Sequence, residues 1–304
     1  MKSYNRLEKN PPGDKENITV LRARSRTISI GPRPLIMGIL NINDDSFSGD
    51  GRIDTAWALD RALELVASGA DIVDVGGESA RTNRPPVSED EEWRRIAPFL
   101  ENFPALMEMA PSPDDGQLFP PLLSVNTWRT GVAERALQAG CDLLNDMSGL
   151  PDATHARLCA EHGAALLIMH TKGEPKVPHT DVEYGDIMAE LDQFFESKIA
   201  MACGAGLQRE ALVLDPGIDF AKQIGDNLRI LRKLQRLARF GCPILLPVSR
   251  KSTIGRALGI ETPSDRDAGT IACIVAGALR GAAIIRVHNV HAARLALRAT
   301  MLVK

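Results

Sequence analysis

The sequence lacks the features that mark membrane, secreted and nucleic-acid-binding proteins. Its longest apolar runs, at residues 164–169 and 244–248, are far shorter than the roughly 18 residues that a membrane-spanning helix requires. The first thirty residues contain no apolar core of a secretory signal. Lysine and arginine number 36 against 39 acidic residues, and the net charge of -3 gives no overall attraction to nucleic acid or anionic lipid. We therefore expect a cytoplasmic protein without nucleic-acid or membrane partners.

Cysteine pairs and several common catalytic motifs are also missing. The five cysteines are widely spaced and form no C-x-x-C pair for zinc or redox chemistry, so we expect reduced thiols that are mostly buried. The motifs G-x-x-x-x-G-K-S/T, H-E-x-x-H and G-x-S-x-G are absent as well. These absences argue against the nucleotide-binding, metalloprotease and hydrolase chemistries that those motifs carry.

What the sequence has is a repeated alternation of short apolar strands and amphipathic helices. The strand candidates are Leu35–Asn41, Ile72–Gly76, Leu122–Asn126, Leu143–Asp146, residues 165–170, Leu212–Asp215, residues 244–249 and residues 284–288. Continuous apolar strands separated by amphipathic helices predict a parallel sheet that is covered by helices. Eight such units close an α/β fold of the (β/α)₈ TIM-barrel type. A doubly wound open sheet uses the same repeat and is the alternative.

The rest of the chain fits one domain. Residues 18–30 alternate between apolar and polar side chains and predict a β-hairpin that covers one end of the barrel. We expect a flexible N-terminal segment over residues 1–17 and a single barrel domain, including the hairpin, over residues 18–304. Residues 103–121 contain five prolines and are expected to form an exposed loop.

Polar residues stand at or just beyond the end of each strand candidate, and in a barrel these ends meet at one mouth. Buried charges are costly unless something pairs with them, which favours a binding site. Asn126, Asn145 and Asp215 suit the donor and acceptor edge of a flat heterocycle. Cationic residues follow the last two strands, where barrels frequently bind phosphate, and they predict a bound mono- or diphosphate. The basic residues are Arg250, Lys251, Arg286 and His288, and the polar residue Ser249 stands beside them.

Seven motifs occur in an order that identifies a family. From about Leu35 onward, the chain resembles dihydropteroate synthases. The motifs are MGILN at 37–41 with DSFS at 45–48, DVGGES at 74–79 with Arg81, SVNT at 124–127, ND at 145–146, DPG at 215–217, SRKS at 249–252 and RVH at 286–288.

The resemblance implies a transferase of folate biosynthesis with a pterin-binding barrel. Such an enzyme joins 4-aminobenzoate to the pterinylmethyl group of 7,8-dihydropterin-6-ylmethyl diphosphate and releases pyrophosphate. The family also implies Mg²⁺ as the cofactor and a homodimer as the assembly. It implies catalytic roles for Lys251, Asp215, Arg286 and His288.

The resemblance also implies the residues that bind each substrate. Asn145, Asp215 and Lys251 match residues that hold the pterin, and Asn126 faces it. The diphosphate is held at the positions of Asn41, Arg286 and His288, of which Asn41 is the implied metal ligand. The aminobenzoate borders Arg81, Ser249 and Arg250. Three further positions complete the implied substrate-binding set: Phe47, Ala80 and Met169.

The chain departs from the family's pattern near both substrates. Asn126 stands where the family has aspartate, so the charge that faces the pterin is lost and we expect weaker stabilisation of a cation there. Asp219 replaces a glycine and places an extra acid near the pterin. Other replacements alter the first loop, the aminobenzoate side and the end of the last strand: Asn43, Asp44, Gly49, Ala80, Thr82, Asn83 and Asn289.

These departures leave two alternative functions open. One is a pterin-binding paralogue with little or no synthase activity. The other is a folate-dependent methyltransferase that shares the barrel and the pterin pocket. A methyltransferase has no need for the SRKS motif at 249–252 together with Arg286 and His288, so those cations favour the synthase.

Overall fold

The computed structural model describes most of the chain, namely residues 18–44, 51–80, 82, 84–110 and 116–303. The expected flexible segment 1–17 and two predicted site residues, Phe47 and Arg81, lie outside the described residues.

An antiparallel hairpin precedes the barrel, as predicted. Its strands are β1 (Thr19–Ala23) and β2 (Arg26–Ile30). Its buried side chains join one apolar cluster with residues at the starts of the barrel strands, such as Leu35 and Leu122. Arg24 donates hydrogen bonds to the backbone oxygens of Leu137 and Cys141, close to the start of a barrel strand. The hairpin therefore covers the N-terminal end of the barrel.

Eight parallel strands form the barrel, most of them with the predicted bounds. They are β3 (Leu35–Asn41), β4 (Ile72–Gly76), β5 (Leu122–Asn126), β6 (Leu143–Asp146), β7 (Ala165–Met169), β8 (Leu212–Asp215), β9 (Leu245–Leu246) and β10 (Ile284–Val287). Their order is β8-β7-β6-β5-β4-β3-β10-β9, and a bridge between Leu214 and Ile244 joins β8 to the segment that leads into β9. The predicted (β/α)₈ barrel is confirmed, and the open doubly wound sheet is excluded.

Helices follow the barrel strands and cover the outside of the barrel. They are α1 (Thr55–Ala67), α2 (Glu89–Met109), α3 (Thr130–Gln138), α4 (Thr154–His162), α5 (Ile187–Gly204), α6 (Ile224–Arg232), α7 (Ser252–Leu258), α8 (Asp267–Ala278) and α9 (Val290–Val303). In α1 the buried residues recur three and four positions apart, because that spacing places them on one face of a helix. Among the described residues, no helix is long and apolar enough to cross a bilayer.

The prediction of a loop over residues 103–121 was wrong at its start. Helix α2 continues through Pro104 to Met109, with Phe103 and Met107 buried against the barrel. Proline removes one intrahelical hydrogen bond, and the burial of these two side chains holds the last turns in place. Residues 111–115 of the expected loop lie outside the described residues.

Three strands are shorter than predicted. Strand β9 has two residues instead of six, because Pro243 and Pro247 flank it closely and lack the N–H group that a ladder needs. Strands β7 and β10 each end one residue before the predicted histidine. In β10 the reason is local, since the backbone N–H of His288 donates to Ser249 Oγ at 3.2 Å.

The barrel interior changes from apolar to polar along its axis. Side chains point alternately inward and outward along a strand. On β4 the inward positions are Ile72 and then Asp74, and on β10 they are Ile284 and then Arg286. The N-terminal layer packs against the hairpin, and the C-terminal layer supplies the polar groups of the mouth.

Candidate active site at the mouth of the barrel

A cavity of about 450 Å³ opens at the C-terminal ends of the strands. This volume fits a small-molecule site. Most of the predicted site residues line it: Asn41, Ala80, Asn126, Asn145, Met169, Asp215, Lys251, Arg286 and His288. They come from all eight barrel strands or the segments that follow them, so the fold brings together residues that are far apart in sequence.

Asp215 and Lys251 form one charged corner of this cavity. Asp215 Oδ1 accepts a hydrogen bond from the backbone N–H of Gly217 at 2.7 Å. Burial raises the pKa of Asp215 to about 6, although Lys251 opposes the shift. Burial also lowers the pKa of Lys251 to about 8, opposed by Asp219 and Asp215. At neutral pH, the corner therefore holds a carboxylate and an ammonium.

Contacts on both sides fix the position of the Lys251 side chain. Its Nζ donates to the backbone oxygen of Ile218 at 2.6 Å and lies 4.4 Å from the centre of the Phe220 ring. An ammonium over an aromatic face is attracted by the ring quadrupole. Both partners belong to the loop after β8, which the DPG motif begins. The segment after β9 thus places the Lys251 ammonium against the loop after β8, beside the Phe220 ring.

Arg286 and His288 form a second polar group, on β10 and just after it. Arg286 Nε is 2.7 Å from Oδ2 of Asp74, a fully buried acid on β4. His288 is buried, and its Nδ1 lies 2.8 Å from Ser249 Oγ. Because Asp74 and Ser249 lie behind the wall, they hold the Arg286 guanidinium and the His288 imidazole without entering the cavity.

The structure does not bring Ser249 and Arg250 to the cavity wall. Ser249 instead supports His288. The guanidinium of Arg250 forms two hydrogen bonds to Asp267, at 2.7 and 3.0 Å, and this contact lowers the pKa of Asp267. The backbone of Arg250 has φ of 59°, which turns the chain between β9 and α7. Contact of Ser249 and Arg250 with a substrate stays a prediction.

The extra acid Asp219 lines the cavity and is tied to the start of α7. Its carboxylate accepts hydrogen bonds from Ser252 Oγ at 2.9 Å, from the Thr253 backbone N–H at 3.2 Å and from the Thr253 hydroxyl. Asp219 has φ of 67°, a conformation that favours glycine. A glycine would fit that backbone without strain, whereas this chain offsets the strain of Asp219 with hydrogen bonds.

Sequence reasoning missed a group that joins two loops at the mouth. Lys176, in the loop after β7, lies with its Nζ 3.1 Å from Glu78 Oε1 and 3.0 Å from the backbone oxygen of Ser79. Glu78 also pairs with Arg129 at 2.6 Å. The loop after β7 contains Gly173, Pro175 and Pro178 and follows a barrel strand, so its position was predictable although its contacts were not.

The described part of the chain contains no group of three His, Cys, Asp or Glu residues that could hold a metal ion. Asn41 lines the cavity and offers one amide oxygen. Mg²⁺ commonly uses one or two protein oxygens and keeps several waters, with substrate phosphates as further ligands. The single oxygen of Asn41 therefore fits a Mg²⁺ ion that keeps several waters, and the described residues do not fit an all-protein cage.

Comparison with known proteins places this barrel in an enzyme class. The sequence profile of the family described as pterin binding enzyme matches residues 37–288. That range contains the whole polar mouth from Asn41 to His288. The chain belongs to the pterin-binding enzyme family.

Individual relatives narrow the class further. The chain is 38% identical over 264 residues to the dihydropteroate synthase of Synechocystis sp., covering 86% of this chain and 87% of that protein. Dihydropteroate synthase from Xanthomonas albilineans, solved with 4-aminobenzoic acid, superposes with a TM-score of 0.81 at 32% identity, covering 94% of this chain and 98% of that one. The enzyme from Thermus thermophilus, in complex with 6HMPPP, gives 0.77 at 35% identity, covering 94% and 100%.

Proposed function

We propose that this chain is a dihydropteroate synthase of folate biosynthesis. It transfers the pterinylmethyl group of 7,8-dihydropterin-6-ylmethyl diphosphate to 4-aminobenzoate and releases pyrophosphate. One observation carries the proposal: a single cavity contains both the amide-and-acid group of Asn145 and Asp215 and the guanidinium-and-imidazole group of Arg286 and His288. A flat donor–acceptor ring and a diphosphate, joined by one carbon, match these two groups.

Asn126, Asn145, Met169, Asp215 and Lys251 form the pterin end of the cavity. The Asp215 carboxylate accepts hydrogen bonds from a ring that presents N–H groups, and the ammonium of Lys251 donates to ring oxygen or nitrogen. Met169 supplies an apolar, polarisable surface beneath the ring. The ring is thus oriented before its bond to the diphosphate breaks.

Asn41, Arg286 and His288 form the diphosphate end. When the C–O bond breaks, its electron pair goes to the leaving pyrophosphate oxygen, and positive charge develops on the pterin methylene carbon. The Arg286 guanidinium and the His288 imidazole, held in advance by Asp74 and Ser249, stabilise that departing charge without reorganising. The aminobenzoate nitrogen then forms the new C–N bond and releases one proton to solvent, from a position already close to the carbon.

Magnesium, when bound, neutralises part of the diphosphate charge. Asn41 would hold it through its side-chain oxygen. The aminobenzoate occupies the side of the mouth near Ala80. Ser249 and Arg250 contribute through their partners, since Ser249 supports His288 and Arg250 pairs with Asp267.

We further propose a homodimer in the cytoplasm. Exposed large apolar side chains on or beside the last three helices support an interface between copies: Leu258, Leu279, Leu295, Leu302 and Val303. All five cysteines are free, which fits a reducing compartment. Sedimentation equilibrium tests the assembly, and a monomer at micromolar concentration would contradict it.

The direct test is incubation of the purified chain with dihydropterin diphosphate, 4-aminobenzoate and Mg²⁺. Dihydropteroate and pyrophosphate should form in equal amounts. Tight binding of the pterin diphosphate without product would identify the inactive paralogue. Demethylation of methyltetrahydrofolate in the presence of a corrinoid acceptor would identify the methyltransferase.

Asn126→Asp is expected to raise kcat by roughly tenfold, because a carboxylate that faces the pterin stabilises the developing cation and 1.4 kcal/mol corresponds to a factor of ten. Steady-state pyrophosphate release measures this effect. Asn126→Ala is the matched control, since it removes the amide without adding charge, and it should not raise the rate. An unchanged or lower rate for Asn126→Asp would contradict this account of the position.

Asp219→Asn is expected to move the alkaline limb of the kcat/KM profile to lower pH by roughly one unit. Burial lowers the pKa of Lys251 to about 8, and Asp219 is the foremost acid that opposes the shift, so its removal lowers that pKa further. Lys251 is charged below its pKa, and activity that needs the ammonium is lost as pH rises through that value. Asp265→Asn, an exposed acid outside the cavity lining, should leave the limb in place. A limb unmoved in Asp219→Asn would refute the assignment to Lys251.

A further inference from the structure

Asp74 is a fully buried carboxylate that connects the two ends of the active site. Its Oδ2 accepts a hydrogen bond from Arg286 Nε at 2.7 Å, and its Oδ1 accepts one from Ser124 Oγ at 2.5 Å. Asn145 Nδ2 lies 3.2 Å from each carboxylate oxygen. Asp74 itself does not line the cavity. It therefore contacts one residue of the pterin end and one of the diphosphate end from behind.

The contact with Asp74 fixes which atom Asn145 presents to a ligand. A carboxylate only accepts hydrogen bonds, whereas an amide has one accepting oxygen and one donating nitrogen. The nitrogen of Asn145 must therefore face Asp74. Because Asn145 also lines the cavity, its oxygen is the atom available to the ligand. The ligand group opposite Asn145 must then be an N–H donor.

The same carboxylate orients Arg286. The guanidinium is planar and rigid, so a hydrogen bond at Nε fixes the plane of the whole group. The contact with Asp74 uses Nε, and the two terminal nitrogens are the groups whose geometry matches phosphate oxygens. Since Asp74 and Arg286 are 212 positions apart, this orientation depends on closure of the barrel between β4 and β10 through β3.

We propose that Asp74 is a positioning residue that controls both ends of the site: it sets the hydrogen-bond polarity of Asn145 and directs Arg286 at the diphosphate. The proposal rests on the proposed function and adds to it the residue that couples the two subsites. An asparagine at position 74 has the shape of aspartate but adds a donor, which allows the amide of Asn145 to rotate and removes the charged partner of Arg286.

Two probes test the two ends separately by calorimetry: 6-hydroxymethylpterin for the pterin end and inorganic pyrophosphate for the diphosphate end. Asp74→Asn should raise the dissociation constants of both probes at least tenfold. Asn145→Ala should weaken the binding of the pterin probe only, and Arg286→Lys should mainly weaken the binding of pyrophosphate. Ser124→Ala is the matched control, because it removes a hydrogen bond to the same carboxylate without touching either subsite, and both constants should stay within threefold of the wild type.

A neutral double variant separates the positioning role from the effect of an unpaired buried charge on folding. Arg286→Gln alone is compared with the neutral double variant Asp74→Asn/Arg286→Gln. The double variant should bind 6-hydroxymethylpterin at least tenfold more weakly than Arg286→Gln, because Asn145 loses its fixed partner. Equal pterin affinity in these two variants would overturn the proposal. A loss of affinity for only one of the two probes in Asp74→Asn would overturn it as well. A wild type that binds both probes but forms no dihydropteroate would overturn the proposed function and leave the positioning role standing.

Discussion

Lys251→Met should lower kcat/KM by about three orders of magnitude. Methionine keeps most of the side-chain volume but removes the ammonium beside Asp215 and its hydrogen bond to the backbone oxygen of Ile218. Loss of a single preorganised electrostatic group commonly lowers kcat by about 10²–10³, and here Asp215 is also left buried without the ammonium that most opposes the rise of its pKa. Initial rates of pyrophosphate release over a range of pterin diphosphate concentrations measure both kcat and KM.

Lys198→Met is the matched control for this change. Lys198 Nζ also donates to a backbone oxygen, that of Leu150, at 2.7 Å, but the residue lies on α5 and does not line the cavity. The control loses the same charge and the same kind of contact, and its kcat/KM should stay near that of the wild type. Equal losses in the two variants would contradict a specific role for Lys251.

Arg286→Gln is expected to lower kcat/KM by about 10²–10³ and to weaken product inhibition by pyrophosphate, because the guanidinium is the preorganised cation that receives the leaving group. The variant should also lose roughly 3 kcal/mol of folding stability, since Asp74 stays buried without its partner. Rates, pyrophosphate inhibition and urea unfolding measure the three effects.

Arg33→Gln separates activity from stability. Arg33 forms two hydrogen bonds of 3.0 Å to Asp71, which is as fully buried as Asp74, but the pair lies at the N-terminal end of the barrel. This variant should lose a comparable amount of stability and keep its turnover. If Arg33→Gln lowers kcat/KM as much as Arg286→Gln, the loss comes from weakened folding, and the role of Arg286 at the diphosphate end is refuted.

The sequence pattern predicted the barrel because short, continuously apolar strands alternate with amphipathic helices along the chain. It also predicted most of the cavity wall, since polar residues stand at the strand ends and these ends meet at one mouth. In the structure, a polar residue two positions beyond an inward apolar one points into the mouth. Asn145 and Arg286 follow Leu143 and Ile284 in this way. These arguments are local, and that is why they succeeded.

The contacts behind the wall were not predictable, because each joins residues that are distant in sequence. Asp74 was visible only as part of a motif, and its bond to Arg286 spans 212 positions. Arg250 has the composition of an anion-binding residue, yet Asp267 occupies its guanidinium. Helix α2 extends past Pro104 because tertiary burial of Phe103 and Met107 outweighs a local preference. The sequence alone identifies the residues of the cavity wall, whereas the contacts behind the wall form only when the barrel closes.

The short strand β9 has a consequence for motion at the mouth. Prolines at 243 and 247 limit its ladder to two residues, and one bridge connects the preceding segment to β8. Local opening starts where backbone hydrogen bonds are fewest. Amide hydrogens around this seam should therefore exchange with solvent before those of β3 to β6. The loop that supplies Lys251 begins at this seam. The barrel therefore opens most easily beside Lys251 and is most stable on the opposite side.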